Sequence, residues 1–116
     1  MKNKITYINL FTNNFRSINV IKLVSKKYRI KNIFLAKKNL NLRLVNFLEK
    51  KKIKFKIIDR IDNPQILKTI KEKEIVNIVC GFPYFFSSNV IKNSKNPIIN
   101  CHGGNLPNYR GGSPLS

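Results

Sequence analysis

The sequence has no tryptophan, one histidine, one methionine, two cysteines and only five acidic residues among its 116. No stretch reaches the ~18 uninterrupted apolar residues of a membrane-spanning helix. Hydrophobic residues nevertheless make up 42% of the chain, too many for a polar segment that stays unfolded. Cys80 and Cys101 each end an apolar run and form no C-x-x-C or other metal-ligand spacing, so a reduced, buried pair is expected and no metal site. The N-terminal run from Ile5 to Phe11 is short, is interrupted by Asn9 and lacks a small-residue cleavage site. It reads as a strand and not as an export signal, which implies a cytoplasmic location and no membrane partner. No Gly/Ser linker, internal repeat or composition shift divides the chain, so residues 1–116 are expected to form one domain with one core. A chain of this size buries roughly two thirds of its unfolded surface.

What is abundant is positive charge. Lys and Arg total 23, for a formal net charge of +18, and such an excess attracts phosphate-rich partners. Lysine outnumbers arginine 18 to 5, and lysine, asparagine and isoleucine together supply 52 residues. AT-rich codons produce that bias whatever the partner. A dedicated phosphate-reading surface favours arginine, whose planar fork binds bidentately. The charge therefore suits anionic ligands without identifying nucleic acid.

The hydrophobic pattern alternates between two periods. Ile5–Leu10 reads as a strand, and Ser17 is placed to cap a helix in which Ile18, Ile21 and Val24 share a face. Asn32–Ala36 reads as a second strand, followed by a helix from Leu40 to Lys50 with Leu40, Leu44, Phe47 and Leu48 on one side. Ile53, Phe55 and Ile57 alternate with lysines, as in an edge strand, and Pro64 suits the first position of a third helix running to Lys73. Ile75–Cys80 is a fourth strand, Ser87 or Ser88 opens a short helix to Asn93, and Pro97–Cys101 is a fifth strand. Strict alternation of this kind predicts an open, doubly wound, Rossmann-like α/β sheet, mostly parallel, with helices on both faces and about five strands. Ligands of such sheets bind beyond the carboxyl ends of the strands, where the strand order reverses.

Glycine is as unevenly spread as charge. Four of the five glycines and two of the five prolines fall between Asn100 and Leu115, so the backbone there must turn tightly. Asn100 and His102 lie two apart at a strand end, so their side chains leave one face while Cys101 points the other way. An amide donor beside an imidazole suits acyl transfer to an amine: the pair stabilises the developing oxyanion, and the imidazole exchanges a proton with nitrogen. The alternative is that both side chains cap backbone groups at the strand end.

The whole string, N-x-H-x-x-x-L-P-x-Y-R-G-G-x-P from Asn100 to Pro114, resembles the signature of the folate-dependent formyltransferases, which act on glycinamide ribonucleotide, methionyl-tRNA or nucleotide-linked amino sugars. The resemblance implies catalytic roles for Asn100 and His102, and a tetrahydrofolate site lined by Gly104, Asn105, Leu106 and Pro107. It also implies 10-formyltetrahydrofolate as formyl donor. By position, Tyr84, Phe85 and Phe86 match the family's loop that holds the pterin, where aromatic rings supply stacking area. The other reading of Phe82, Phe85 and Phe86 is that they close the core. Arg110 suits an anionic acceptor or the folate tail, and suits equally well a role in tying down its own loop.

Two departures from the family pattern stand out. The loop after the first strand, Phe11–Asn14, has neither the G-x-G cradle of the purine enzymes nor the Gly-Thr-Pro opening of the tRNA enzymes. The Arg-Gly-Gly-x-Pro ending points toward a tRNA or amino-sugar acceptor, in either case a phosphate-bearing amine. The family's downstream Asp has no counterpart, since no acidic residue follows Glu74. The resemblance thus spans the front half of the family's catalytic domain, and the sequence reads as an N-terminal portion with impaired turnover. Its fifth strand is expected at an exposed sheet edge, open to self-association. The alternative functions are a non-catalytic folate-binding remnant completed by a partner, and a basic nucleic-acid-binding protein.

Overall fold

Strands and helices alternate without exception in a computed structural model that describes residues 6–94 and 96–101. The order is β1 (Tyr7–Thr12), α1 (Ser17–Val24), β2 (Arg29–Ala36), α2 (Leu42–Lys50), β3 (Lys56–Ile58), α3 (Pro64–Ile70), β4 (Ile75–Cys80), α4 (Ser88–Ser94) and β5 (Ile98–Cys101). All strand pairs are parallel, and the sheet order is β3-β2-β1-β4-β5. The chain winds outward from β1 to β3, then crosses back to lay β4 on the other side of β1. The fold is the doubly wound α/β sheet that the alternation implies, and its strand order reverses between β1 and β4.

Period-two alternation along the strands sorts the core into two layers. Ile8, Leu10, Ile33 and Leu35 face α1 and α2, where they meet Ile18, Ile21, Leu44 and Leu48. Phe11, Phe34 and Val79 face the other way and meet Ile66 and Ile70 of α3, with Phe86. Asparagine side chains start two of the helices: Asn41 Oδ1 accepts from Leu44 N at 3.1 Å, and Asn63 Oδ1 accepts from Gln65 N at 2.8 Å. Pro64 holds the first turn of α3, as its fixed φ favours.

Ser17 does not cap α1. Arg16 occupies the cap position without a side-chain bond, Asn14 Oδ1 accepts from Arg16 N at 2.8 Å, and Ser17 is the first helical residue. Its buried hydroxyl has no hydrogen-bond partner among the described residues. The asparagine two residues before the helix cap thus displaced the serine. β3 is shorter than the alternation from Ile53 suggests, because it pairs only with Phe34–Ala36 at the far end of β2.

Three asparagines cross the sheet in register on the α3 face: Asn32, Asn9 and Asn77. Asn32 Nδ2 donates to Asn9 Oδ1 at 2.9 Å, and Asn9 Nδ2 donates to Asn77 Oδ1 at 3.0 Å. Asn9 and Asn77 are fully buried, so each amide must find partners or forfeit its solvation. Thr69 of α3 completes the row, accepting from Asn32 Nδ2 at 3.1 Å and donating to Glu72 Oε1 at 2.9 Å.

Glu72 also receives Lys31 Nζ at 2.9 Å. The hydrogen bond from Lys31 holds its carboxyl below the ordinary 4.5, against a smaller opposing effect of burial, and the Thr69 hydroxyl adds to the lowering. A depressed carboxyl stabilises the fold above its unfolded pKa, and that contribution is lost as pH falls through the folded value. The expected result is a urea midpoint that drops as pH is lowered below 4.5, with Glu72→Gln flattening part of that drop. An identical acid profile in the variant would exclude this role for Glu72. The pair is partly exposed, so the effect is small.

Candidate functional site

At the reversal point, the loops leaving β1, β2 and β4 converge beside the end of β5. Asn13 stitches the first two together: its Oδ1 accepts from Ala36 N at 2.8 Å, and its Nδ2 donates to the carbonyls of Ala36 at 3.1 Å, Lys38 at 2.8 Å and Asn39 at 3.0 Å. Its backbone N–H donates to Gly81 O at 3.2 Å, drawing in the β4 loop. One asparagine therefore sets the spacing of three loops. Asn39 takes a left-handed φ of 56°, a conformation asparagine tolerates better than most residues.

Gly81 is where the backbones come closest. Its φ is +55°, and a Cβ added there would lie 2.8 Å from Asn14 Cβ. Both the left-handed conformation and the contact exclude a side chain without displacement. Gly81→Ala is expected to cost about 2 kcal/mol, read as a lower urea midpoint with unchanged slope. A loss below roughly 0.5 kcal/mol, the range of neutral surface changes, would contradict this account.

The convergence encloses an open cavity of about 660 Å³. Asn13, Asn14 and Asn41 line one side, and Phe82, Asn100 and Cys101 line the other. Phe82 is held edge-on against Phe11 at 5.6 Å and against Tyr84 at 5.4 Å. Tyr84 is fixed in turn by its hydroxyl, which accepts from Lys38 N at 3.2 Å. The cavity combines side-chain amides, which donate and accept, with one fixed aromatic wall. That lining suits a flat heterocycle carrying polar edge groups, and the volume falls within the range of small-molecule sites.

The site residues expected from the sequence separate into groups. Asn100 sits near the end of β5, opposite Val79 of β4, and lines the cavity. Tyr84 and Phe85 wall a neighbouring cavity of about 550 Å³ that also touches Lys38, Asp59 and Arg60. Phe85 is 80% exposed, whereas Phe86 is 3% exposed and packs edge-on against Phe11 at 5.1 Å. Phe86 is thus part of the core. His102, Gly104, Asn105, Leu106, Pro107 and Arg110 lie outside the described residues. The sequence points to Phe11–Asn14 and Gly81–Ser87, the loops after β1 and β4, as ligand loops, but not to Asn13, Asn14, Asn39, Asn41 or Gly81 individually. Their signal was a run of Asn in loops at the carboxyl ends of strands, and the single glycine outside the 103–112 segment.

Cys80 and Cys101 are register partners on adjacent strands and both are free thiols. Cys80 is buried, but Cys101 is only half-buried, because β5 lies at the sheet's outer side and its end borders the cavity. Burial raises the Cys80 thiol well above its ordinary range, and the neighbouring Cys101 adds to the shift. Cys80 is a neutral packing group at physiological pH and not a nucleophile. Among the described residues no cluster of three or more His, Cys, Asp or Glu side chains could hold a metal ion, and no helix is long and apolar enough to cross a membrane. No protein-family model matches the chain, and no curated protein is significantly similar to it.

Proposed function

We propose that this protein binds 10-formyltetrahydrofolate and transfers its formyl group to a primary amine on a phosphate-bearing acceptor, either a nucleotide-linked amino sugar or methionyl-tRNA. The observation that carries the reading is the position of Asn100. It lies at the strand end that begins the N-x-H segment and lines the cavity at the reversal point of the sheet, together with the β4 loop. A site there is where an α/β sheet of this order places its ligand.

The proposed chemistry follows from those groups. The acceptor amine attacks the formyl carbon, the carbonyl oxygen gains negative charge, and the Asn100 amide donates to it. The bond from the formyl carbon to the folate N10 then breaks. The proton lost by the amine passes to N10, a transfer assigned to His102, whose ordinary pKa of about 6.5 suits both directions. Tetrahydrofolate and the N-formyl amine are the products. Phe82 and the loop asparagines offer the flat stacking surface and edge donors that a pterin uses.

The test supplies the purified chain with 10-formyltetrahydrofolate and, separately, dTDP- or UDP-linked amino sugars and methionyl-tRNA. Mass analysis of the acceptor and absorbance of released tetrahydrofolate report transfer. Formylation of one acceptor class supports the proposal and selects the substrate. Folate binding without transfer to any acceptor replaces it with a non-catalytic folate module, and absence of folate binding overturns it.

A further inference from the structure

In a parallel sheet with helical crossovers, every helix runs back against the strands. The carboxyl ends of α1 to α4 therefore gather at the amino-terminal end of the sheet, opposite the cavity. Contacts confirm the gathering. Tyr7 N donates to Glu74 O at 2.9 Å, Arg29 N to Thr6 O at 3.2 Å and Tyr28 N to Val24 O at 2.7 Å. Asn96 Nδ2 reaches Ile70 O and Glu72 O, each at 2.6 Å.

The positive charge collects at this end. The last turns of the four helices carry Lys22, Lys50, Lys68 and Lys92. The connection from α1 to β2 adds Lys26 and Lys27, that from α2 to β3 adds Lys51, Lys52 and Lys54, and that from α3 to β4 adds Lys71 and Lys73. Among the described residues these eleven lysines stand against three glutamates, Glu49, Glu72 and Glu74. The cavity end carries, among the described residues, five basic residues (Arg16, Lys37, Lys38, Arg43 and Arg60) against Asp59 and Asp62. Composition bias sets how many lysines the chain has, but not at which end they lie.

Helix dipoles favour lysine at helix carboxyl ends, but that effect fades beyond the last turn. Lys51 and Lys71 are the C-caps of α2 and α3 and sit where the dipole acts, but five of the eleven, Lys26, Lys27, Lys52, Lys54 and Lys73, lie beyond the caps in the connections. Dipole compensation would also place acids in first turns, and none of the four helices has one. On one flank a cleft of about 410 Å³ opens beside β2, where β3 has not yet paired; Lys54, Lys56 and the Glu72-paired Lys31 border it with Phe55 and one acid, Glu49.

We infer that this lysine-rich end is a docking surface for the phosphodiester backbone of duplex nucleic acid. The molecule measures 40 × 35 × 32 Å, so the face spans about one duplex turn of roughly 34 Å. Lysine ammonium groups act as point charges on phosphates and lack the fork that reads guanine edges, so the binding is sequence-independent. An anionic membrane fits less well. Of the five large exposed apolar side chains among the described residues, Leu23 lies near this end, Leu42 and Phe85 lie at the cavity end, and Ile57 and Ile99 lie within β3 and β5. The surface is independent of formyl transfer.

The experiment measures anisotropy of a labelled, mixed-sequence duplex DNA with the full chain over a range of salt. Binding is expected to weaken with a slope of log K against log salt of about −4 or steeper. Lys50→Glu, Lys51→Glu and Lys52→Glu together should weaken it by about tenfold or more, whereas Arg16→Glu, Lys37→Glu and Arg43→Glu together should change it by less than about threefold. Because glutamate at the end of α2 opposes the dipole, Lys51→Gln, Lys52→Gln and Lys54→Gln form a second set, with circular dichroism melts confirming the fold. Weakening confined to the helix-end sets supports the docking surface. Equal losses in both regions overturn it, as do a shallow salt slope, equal affinity for polyglutamate of matched charge, or binding to phosphatidylserine vesicles but not to duplex.

Discussion

Phe11→Ala is expected to remove about 4 kcal/mol of folding stability, the cost of truncating a fully buried aromatic. Phe11 is 0% exposed. Its ring stacks on Phe34 at 4.9 Å and receives Phe86 and Phe82 edge-on at 5.1 and 5.6 Å. It is therefore the hub between the sheet, the α3 layer and the β4 loop. A domain's whole stability is roughly 5–15 kcal/mol, so the variant should be near its unfolding threshold and bind any cavity ligand more weakly, because Phe82 loses its support. Phe85→Ala, in the same aromatic run but 80% exposed, should shift stability by less than about 0.5 kcal/mol. Urea unfolding of both variants checks the pair. A Phe11→Ala loss under about 1 kcal/mol would mean that the core collapses around the gap or that the ring contacts are dispensable.

That contrast shows where the sequence was readable and where it was not. Element type and order followed from period: strongly apolar runs such as Ile75–Cys80 became inner strands, and Leu44 and Leu48 at helical spacing became the buried face of α2. The aromatic run 82–86 was not divisible by eye, because Tyr84, Phe85 and Phe86 have the same preferences and differ only in which way the loop turns each ring. The asparagine row was less legible still. Asn9, Asn32 and Asn77 interrupt apolar strands and read singly as tolerated polar residues, and only registration across β2, β1 and β4 makes them partners. Ser17 misled for a local reason, since Asn14 lies two residues before the cap and its carboxamide met the helix-start N–H first. At the site, Asn100 was visible through its spacing, whereas Asn13 and Gly81 acquire their roles from backbones that approach each other only in the folded sheet. The lysines were countable from the start, but their sorting to one end needed the topology.

On the proposed reaction, Asn100→Ala should lower kcat for formyl transfer by about 10²–10³-fold, the loss seen when one preorganised oxyanion donor is removed. The position favours a clean measurement. Asn100 lies on the outermost described strand beside β4 and is only half-buried, so truncation leaves the two core layers intact. KM for the folate donor should change little, because a donor that acts on charge developing in the transition state contributes little in the ground state. Asn100→Asp separates shape from charge: it retains the side chain's size but places a carboxylate where negative charge develops, so it should be at least as slow as the alanine variant. Single-turnover rates on both variants, with circular dichroism to verify the fold, provide the comparison. If kcat is unchanged in Asn100→Ala while folate binding weakens, Asn100 is a ligand-positioning residue and the oxyanion donor lies elsewhere. If the aspartate variant is faster than the alanine variant, the charge that develops near β5 is positive, and the assignment of Asn100 to the carbonyl oxygen fails.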